Sequence, residues 1–547
     1  MIKEFGKVKK RHYVAVIILA FMFVFTACGN NTDNGSNTGD TGNEGQNQNT
    51  ESQVTDEQAP QATETPVAQN SKVQVINFDV ASSTYMTKAN IAMPYSIDGV
   101  IGVPAGDGKY PLVLIAHGLH NTENMEARYD QGFSYLVQAL AENGYVAVAM
   151  DLSYAYAQDY GTGDENERVR FLIEQHMEKL KEANSGALSG YADNLQGMID
   201  FDNVALIGHS RAGEIILDAA MDQIANGVDI EGILSIAPTF DDVHTTYPDV
   251  DTAFIVPEYD GDVTTMDGFI LYDKMKNRPH DNFISLVLLE RGNHNFFNTL
   301  LETNDTDSLD GNYDDGLSGS DQQTFLTSFA CDFLNAVLLD NADDTWFEED
   351  VISPDQLYGY DVKTSYESGD AISIIDKTKY TTVTEAAAPE YDKTAGFTVP
   401  LAGLTEEDVI ELIPFTWETM GSSLVFNTTI SDISDYDSIY FELAQDSTSD
   451  LNNQEDQAFT ITLQDKNGDT ASVDITKASA LRYVDGEMTT ADENTGYSVW
   501  SNFTPITGLN VPLSMFNGVD LKNIQTVTLT ANQNETGSIY IESVKVQ

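Results

Sequence analysis

Cysteine is almost missing from this chain: Cys28 and Cys331 are the only two in 547 residues. No disulfide framework can hold the fold together, whatever the redox state of its compartment, so stability has to come from packing. Basic residues are scarce as well, 27 Lys and Arg against 87 Asp and Glu, for a net charge of −60. A field of that sign repels phosphate backbones and anionic lipid headgroups, which excludes nucleic acid as a partner. Apolar side chains are not lacking. They make up 41% of the residues, enough for real cores, and at ~150 residues per domain the length allows roughly two to four domains.

Five basic residues, Lys3, Lys7, Lys9, Lys10 and Arg11, precede an apolar run over residues 13–27. That run is short of the ~20 residues of a comfortable membrane span; with its basic head and the small residues before Cys28 it reads as a signal peptide over 1–28. Thr26-Ala27-Cys28 resembles a bacterial lipobox, with Phe25 where leucine is usual. The resemblance implies that Cys28 receives a diacylglycerol and becomes the mature N-terminus. The expected place is then the bacterial cell membrane, facing outward and held by the lipid anchor alone, or the medium if the lipobox is not used. Residues 29–71 are mostly Asn, Gly, Thr, Gln, Ser and acid, with almost nothing apolar and not a single Lys or Arg, a composition that cannot bury enough surface to fold and serves as a spacer.

From residue 72 to about 340, apolar strand-like runs alternate with amphipathic helix-like stretches, the pattern of a doubly wound, mainly parallel α/β sheet. Residues 111–116 (PLVLIA) are broken by His117-Gly118-Leu119-His120; 133–143 read as a helix, 145–150 (YVAVAM) as a buried strand and 165–183 as a helix. Residues 203–207 (NVALI) then run straight into Gly208-His209-Ser210-Arg211-Ala212-Gly213 and a helical stretch over 214–225. Strand, G-x-S-x-small residue and helix form the pattern of a nucleophile elbow, a tight turn that lifts a serine hydroxyl above the sheet.

A serine at neutral pH needs a base within hydrogen-bond reach and an acid that orients the base. On a sheet of this kind they follow in the order Ser, acid, His. His294, in a turn directly after the strand 283–289, is the natural base, whereas His280 precedes that strand and falls at the wrong end of the sheet. For the acid, Asp260 follows the strand 253–256 and is preferred to Asp262, with Glu258 behind both. The oxyanion needs two backbone N–H donors: Arg211 follows the nucleophile and Leu119 lies in the loop after 111–116. His117 and His120 have no carboxylate or third histidine nearby at helical spacing, so no metal is expected, and no cofactor. The His209 side chain should point to the other side of the elbow and pack structurally.

Together His117-Gly118-Leu119, Gly208 to Gly213, the Asp260-x-x-Val263 step and Gly292-Asn293-His294-Asn295-Phe296-Phe297 resemble α/β-hydrolases of the group holding platelet-activating-factor acetylhydrolases, chlorophyllases, dienelactone hydrolases and bacterial polyester hydrolases. The similarity covers roughly residues 85–345. It implies Ser210 as nucleophile, Asp260 as acid, His294 as base, and Leu119 with Arg211 as oxyanion donors. Ala212 in the elbow and Pro257 before the acid depart from the usual glycines. The insertion 302–320, rich in Asp, Gly and Ser, lacks the spacing of a calcium loop and reads as solvated. Residues 325–339 close the core as an amphipathic helix carrying Cys331 as a buried, inert thiol.

After about residue 354 the texture changes to short alternating runs with turn signals, among them 438–443 (SIYFEL), 459–463 (FTITL) and 538–544 (SIYIESV), the mark of a β-sandwich. Residues 509–546 resemble the closing strands of jelly-roll carbohydrate-binding modules, which implies sugar as a ligand. Trp417 and Trp500 are the candidate stacking faces, although a lone Trp in a sandwich more often belongs to the core. The expected organisation is a catalytic domain over 72–354 and an accessory sandwich over 355–547, each folding by itself. The expected activity is that of a monomeric serine esterase acting on carboxylic esters, polymeric or carbohydrate-linked ones included. The competing readings are a polysaccharide-binding lipoprotein on an idle hydrolase scaffold and a peptidase on the same fold.

Overall fold

The computed structural model describes residues 73–124, 126–157, 165–192, 195–241, 246–308, 313–339, 341–342, 345–383, 412–446, 449–483 and 505–547. The signal peptide, Cys28, the spacer and Trp500 lie outside them. Among the described residues no helix is long and apolar enough to cross a membrane.

Among the described residues, ten strands form one mixed sheet: β1 (Gln74–Met86), β2 (Ala92–Val103), β3 (Tyr110–Ala116), β4 (Val146–Met150), β5 (Ile199–His209), β6 (Ile230–Ile236), β7 (Asp251–Pro257), β8 (Ile284–Leu289), β9 (Gln356–Leu357) and β10 (Tyr360–Glu367). Their order is β1-β2-β4-β3-β5-β6-β7-β8-β10-β9, and neighbours from β4 to β8 run parallel. Among the described residues, six α-helices accompany the sheet: α1 (Ser134–Glu142), α2 (Ser153–Tyr156), α3 (Glu165–Asn184), α4 (Arg211–Ala225), α5 (Asp267–Lys276) and α6 (Gly319–Leu339). Alternation along the strands feeds both faces. Leu114, Leu206 and Phe254 pack with Leu172, Ile216 and Leu271 of α3, α4 and α5; Ile115, Ile207 and Ile255 pack with Leu136 of α1 and Phe329 of α6. Covered on both sides, strands such as β4 and β8 are buried at every position, which is why they read as unbroken apolar runs.

The boundary expected at residue 354 does not separate the two cores. Past it, β10 pairs antiparallel with β8 from Val362↔Leu289 to Glu367↔Ile284, and Val362 and Tyr366 join the core under α6. Without β10 the apolar strand β8 would be a bare sheet edge.

The remaining strands are β11 (Ile372–Ser373), β12 (Tyr380–Val383), β13 (Ile413–Trp417), β14 (Ser422–Asn427), β15 (Ser438–Gln445), β16 (Phe459–Asp465), β17 (Thr470–Ile475), β18 (Thr507–Pro512), β19 (Ile524–Ala531) and β20 (Gly537–Val546). They make two five-stranded antiparallel sheets, β11-β20-β15-β18 with β13 also on β20, and β12-β14-β19-β16-β17. Phe415, Phe441, Ile461 and Leu529 are among the residues of their shared core. Trp417 belongs to that core, fully buried with its indole N–H donating to Asn534 O at 3.3 Å, so it offers no face to a sugar.

Residues 69–547 form one compact unit. Buried Lys276 of α5 lies 2.5 Å from Glu442 of β15 and 3.0 Å from Glu542 of β20. Lys363 of β10 donates to Ser479 O at 2.6 Å and Arg482 O at 3.2 Å, and the Asn510 amide of β18 donates to Glu349 O and Val351 O at 2.6 and 2.9 Å.

Candidate active site

Parallel strands bring their carboxyl ends to one edge of the sheet, where open α/β sheets bind ligands. Ala116 of β3 pairs with Gly208 of β5 and Pro257 of β7 with Leu289 of β8, so the loops after these four strands share that edge. Ser210 follows β5 with φ 58° and ψ −129°, a backbone conformation that a non-glycine residue keeps only when its surroundings impose it. Its N–H donates to Ile236 O at 2.9 Å, and α4 begins at the next residue. The turn demands small neighbours. A Cβ on Gly208 would lie 2.5 Å from Ala212 O, and one on Gly118 would lie 2.5 Å from Ser210 Cβ. Buried Ala212 fits the elbow, and the loop after β3 rests directly on the serine.

His294, fully buried, comes from the loop after β8, and its Nδ1 lies 3.0 Å from Asp260 Oδ2. The other Asp260 oxygen accepts the N–H groups of Asp262 at 3.0 Å and Val263 at 2.6 Å, which fixes the carboxylate. Asp262 does not approach Nδ1; it stands 3.4 Å from Nε2 with 62% of its side chain exposed. Glu258 is turned away, accepting the Arg291 N–H at 2.8 Å, and burial beside Glu290 pushes its carboxyl up to about 7. Burial works against a charged His294, but the charge and hydrogen bond of Asp260, with Asp262 and Asp305 near, outweigh it and raise the imidazole to about 9. Its Nε2 is buried and has no hydrogen-bond partner among the described residues. His280 lies before β8, at the other end of the sheet, with Nδ1–H donating to Asn282 O at 2.7 Å.

Arg211 is the first residue of α4, so its N–H is one of the donors a helix start leaves without an intrahelical partner. Its guanidinium is engaged elsewhere, 3.3 Å from Glu165 and paired with Asp241. Leu119 sits one residue past the glycine that touches Ser210. His117 is occupied in holding this loop: its Nε2 accepts the Leu152 N–H at 2.9 Å and its Nδ1–H donates to Gly118 O at 2.9 Å. His120 packs against Tyr129 and His209, with ring centroids 5.0 and 5.4 Å away, and burial lowers its pKa. Among the described residues no group of three or more His, Cys, Asp or Glu is placed to hold a metal. Cys331 of α6 is largely covered, and burial raises its thiol to about 11.

Asp305 and Gln322, to which the sequence assigns no role, shape the site, and so does His209, which lies against the base instead of pointing to the other side of the elbow. Asp305, in the acid-rich insertion 302–320, is not solvated as the composition suggests but accepts the N–H groups of Gly261 at 2.7 Å, His294 at 3.2 Å and Asn295 at 3.1 Å. His209 packs against the His294 ring at 4.9 Å and donates Nε2–H to the His294 carbonyl at 3.0 Å. Buried Gln322 of α6 accepts the Asn293 N–H at 2.9 Å and returns a bond to Asn293 O at 2.8 Å. Of these only Gln322 carries a signal, a polar residue on the apolar stripe of α6 beside Phe325, Leu326 and Phe329.

A model of the chlorophyllase family matches residues 63–253. The chain is similar to that family over about a third of its length. The matched stretch holds the loop after β3, the elbow and α4, and ends inside β7, before Asp260 and His294. No curated protein matches the chain. The chlorophyllase-like stretch supplies β1 to β6 and the start of β7, one side of an α/β-hydrolase-type sheet from its β1 edge inward, and the match stops before the two antiparallel sheets.

Proposed function

We propose that this chain is a serine hydrolase of carboxylic esters, with Ser210 as nucleophile, His294 as base, Asp260 as the acid that orients it, and the N–H groups of Leu119 and Arg211 as oxyanion donors. The observation that carries the proposal is the conjunction at one sheet edge: a serine held at φ 58° before a helix, and a buried histidine bonded through Nδ1 to a buried aspartate. Similarity to the chlorophyllase family supports an ester as the bond attacked.

In this reading Nε2 of His294 takes the Ser210 proton as Oγ adds to the ester carbonyl. The negative charge that develops on the carbonyl oxygen meets the two backbone donors. His294 then returns the proton to the departing alcohol, and water repeats the sequence on the acyl-enzyme. Ser210→Ala should abolish hydrolysis of p-nitrophenyl esters with little change in Tm, and His294→Ala should cost several orders of magnitude in kcat. Asp260→Asn should cost far more than Asp262→Asn. Turnover by Ser210→Ala at the wild-type rate would remove the serine mechanism.

The tether is a second part of the proposal, supported by the basic head, short apolar run and Thr26-Ala27-Cys28. Cys28→Ala should move the protein from the membrane fraction to precursor or medium. Unchanged fractionation and mass would show that Cys28 carries no lipid.

A further inference from the structure

The proposed base has a carboxylate at each of its nitrogens. Asp260 holds Nδ1 at 3.0 Å from the protein interior, and Asp262 stands 3.4 Å from Nε2 on the exposed side. Both belong to one turn, since Asp260 Oδ1 accepts the Asp262 N–H at 3.0 Å, so the backbone that fixes the orienting acid also fixes where the second carboxylate begins. Orientation does not need it. Nδ1 is already anchored, and the His294 backbone is held by Asp305 through its N–H and by His209 through its carbonyl. What a carboxylate at Nε2 does is favour a proton on the nitrogen that must be empty to receive one from Ser210.

We propose that Asp262 is a positioning residue that competes with Ser210 for Nε2 of His294, from which it stands 3.4 Å away. The proposal rests on the serine-hydrolase reading above. The charged and titratable groups facing His294 are Asp260 and Asp262 from the loop after β7, Asp305 from the loop after β8, His209 at the end of β5 and His120 from the loop after β3. Burial lowers the pKa of both of these histidines, so they are neutral neighbours. Asp260 and Asp305 each accept backbone N–H bonds through their carboxylates. Asp262 is the mostly exposed one, and its side chain is the member of the set that can swing aside when substrate enters.

The sign follows from the charge. An imidazolium stabilised by a neighbouring anion gives up its proton at higher pH, so removing the Asp262 charge moves the acid limb of activity downward. At contact distance near water that shift should be at least about 0.5 unit, and turnover at pH 7 should rise about threefold. Because Asp262 is exposed, 1 M salt should move the wild-type limb the same way.

The test is the rate at which a fluorophosphonate labels Ser210 between pH 6 and 10.5, in the wild type, Asp262→Asn and Asp262→Ser, beside an NMR titration of the His294 imidazole in the same three proteins. A downward shift in both variants, in labelling and in titration alike, is the expected result. Coincident acid limbs and coincident titrations in all three would overturn the role of Asp262. Absence of labelling at Ser210 at every pH would instead remove the serine-hydrolase reading, while the NMR titration would still decide whether Asp262 controls the proton on His294.

Discussion

Asp305 joins the two loops on which the proposed chemistry depends. One of its oxygens accepts from Gly261, between the two aspartates, and from His294; the other accepts from Asn295. Backbone N–H groups donated to a charged acceptor are worth about 1.5–3 kcal/mol each when the alternative is to leave them buried without a partner. Burial and the nearby Asp260 charge raise the Asp305 carboxyl, and His294 opposes them, so this carboxylate is kept for its bonds rather than for charge alone. Asp305→Ala should therefore loosen the distance between acid and base: kcat is expected to fall about 10–100-fold with KM nearly unchanged, and Tm to drop by several degrees. Asp305→Asn, which keeps one carbonyl oxygen, should fall between the two. Wild-type kcat in the alanine variant, measured on a soluble ester, would show that the loops hold their spacing without it.

Legibility in the sequence divides sharply between elements. The β5–α4 turn is readable because an apolar run, residues 204–207 of β5, leads straight into Gly208 to Gly213, with glycine where Ala212 O approaches and alanine where the helix packs. The loops after β3, β7 and β8 are readable for the same reason: buried parallel strands announce their carboxyl ends. The choice between Asp260 and Asp262 is not settled by strand periodicity. It depends on a turn in which one aspartate accepts the N–H groups of residues 262 and 263 and thereby faces inward. Asp305 is hidden by composition, one acid among 87 Asp and Glu. The strand β10 is hidden by its own chemistry. YDVKTSYE alternates like the sandwich strands that follow it, and its place beside β8 is decided by a sheet edge about 75 residues earlier in the chain.

For the whole molecule, that placement argues against the expectation of two independently folding parts. A chain ending at residue 355 loses β10, and with it the partner of a strand whose six residues are all buried; the exposed edge of β8 then becomes a template for pairing with other chains. Ending after residue 370 would restore the pair but strip Lys363 of the carbonyls of Ser479 and Arg482, and Lys276 of Glu442 and Glu542. Both ammonium groups would gain water in place of those partners, so the loss falls on the packing at this contact rather than on a buried, unpaired charge. The full chain is therefore expected to melt in a single transition, the chain ending at 355 to aggregate, and the chain ending at 370 to remain soluble but melt at least about 5 °C lower, with Ser210 still open to a fluorophosphonate. Calorimetry and light scattering on the three proteins decide the matter. If the chain ending at 355 is monomeric, melts with the full protein and hydrolyses a soluble ester at the same rate, the sandwich is an independent appendage and the contacts through β10, Lys363 and Lys276 contribute nothing to the stability of the catalytic half.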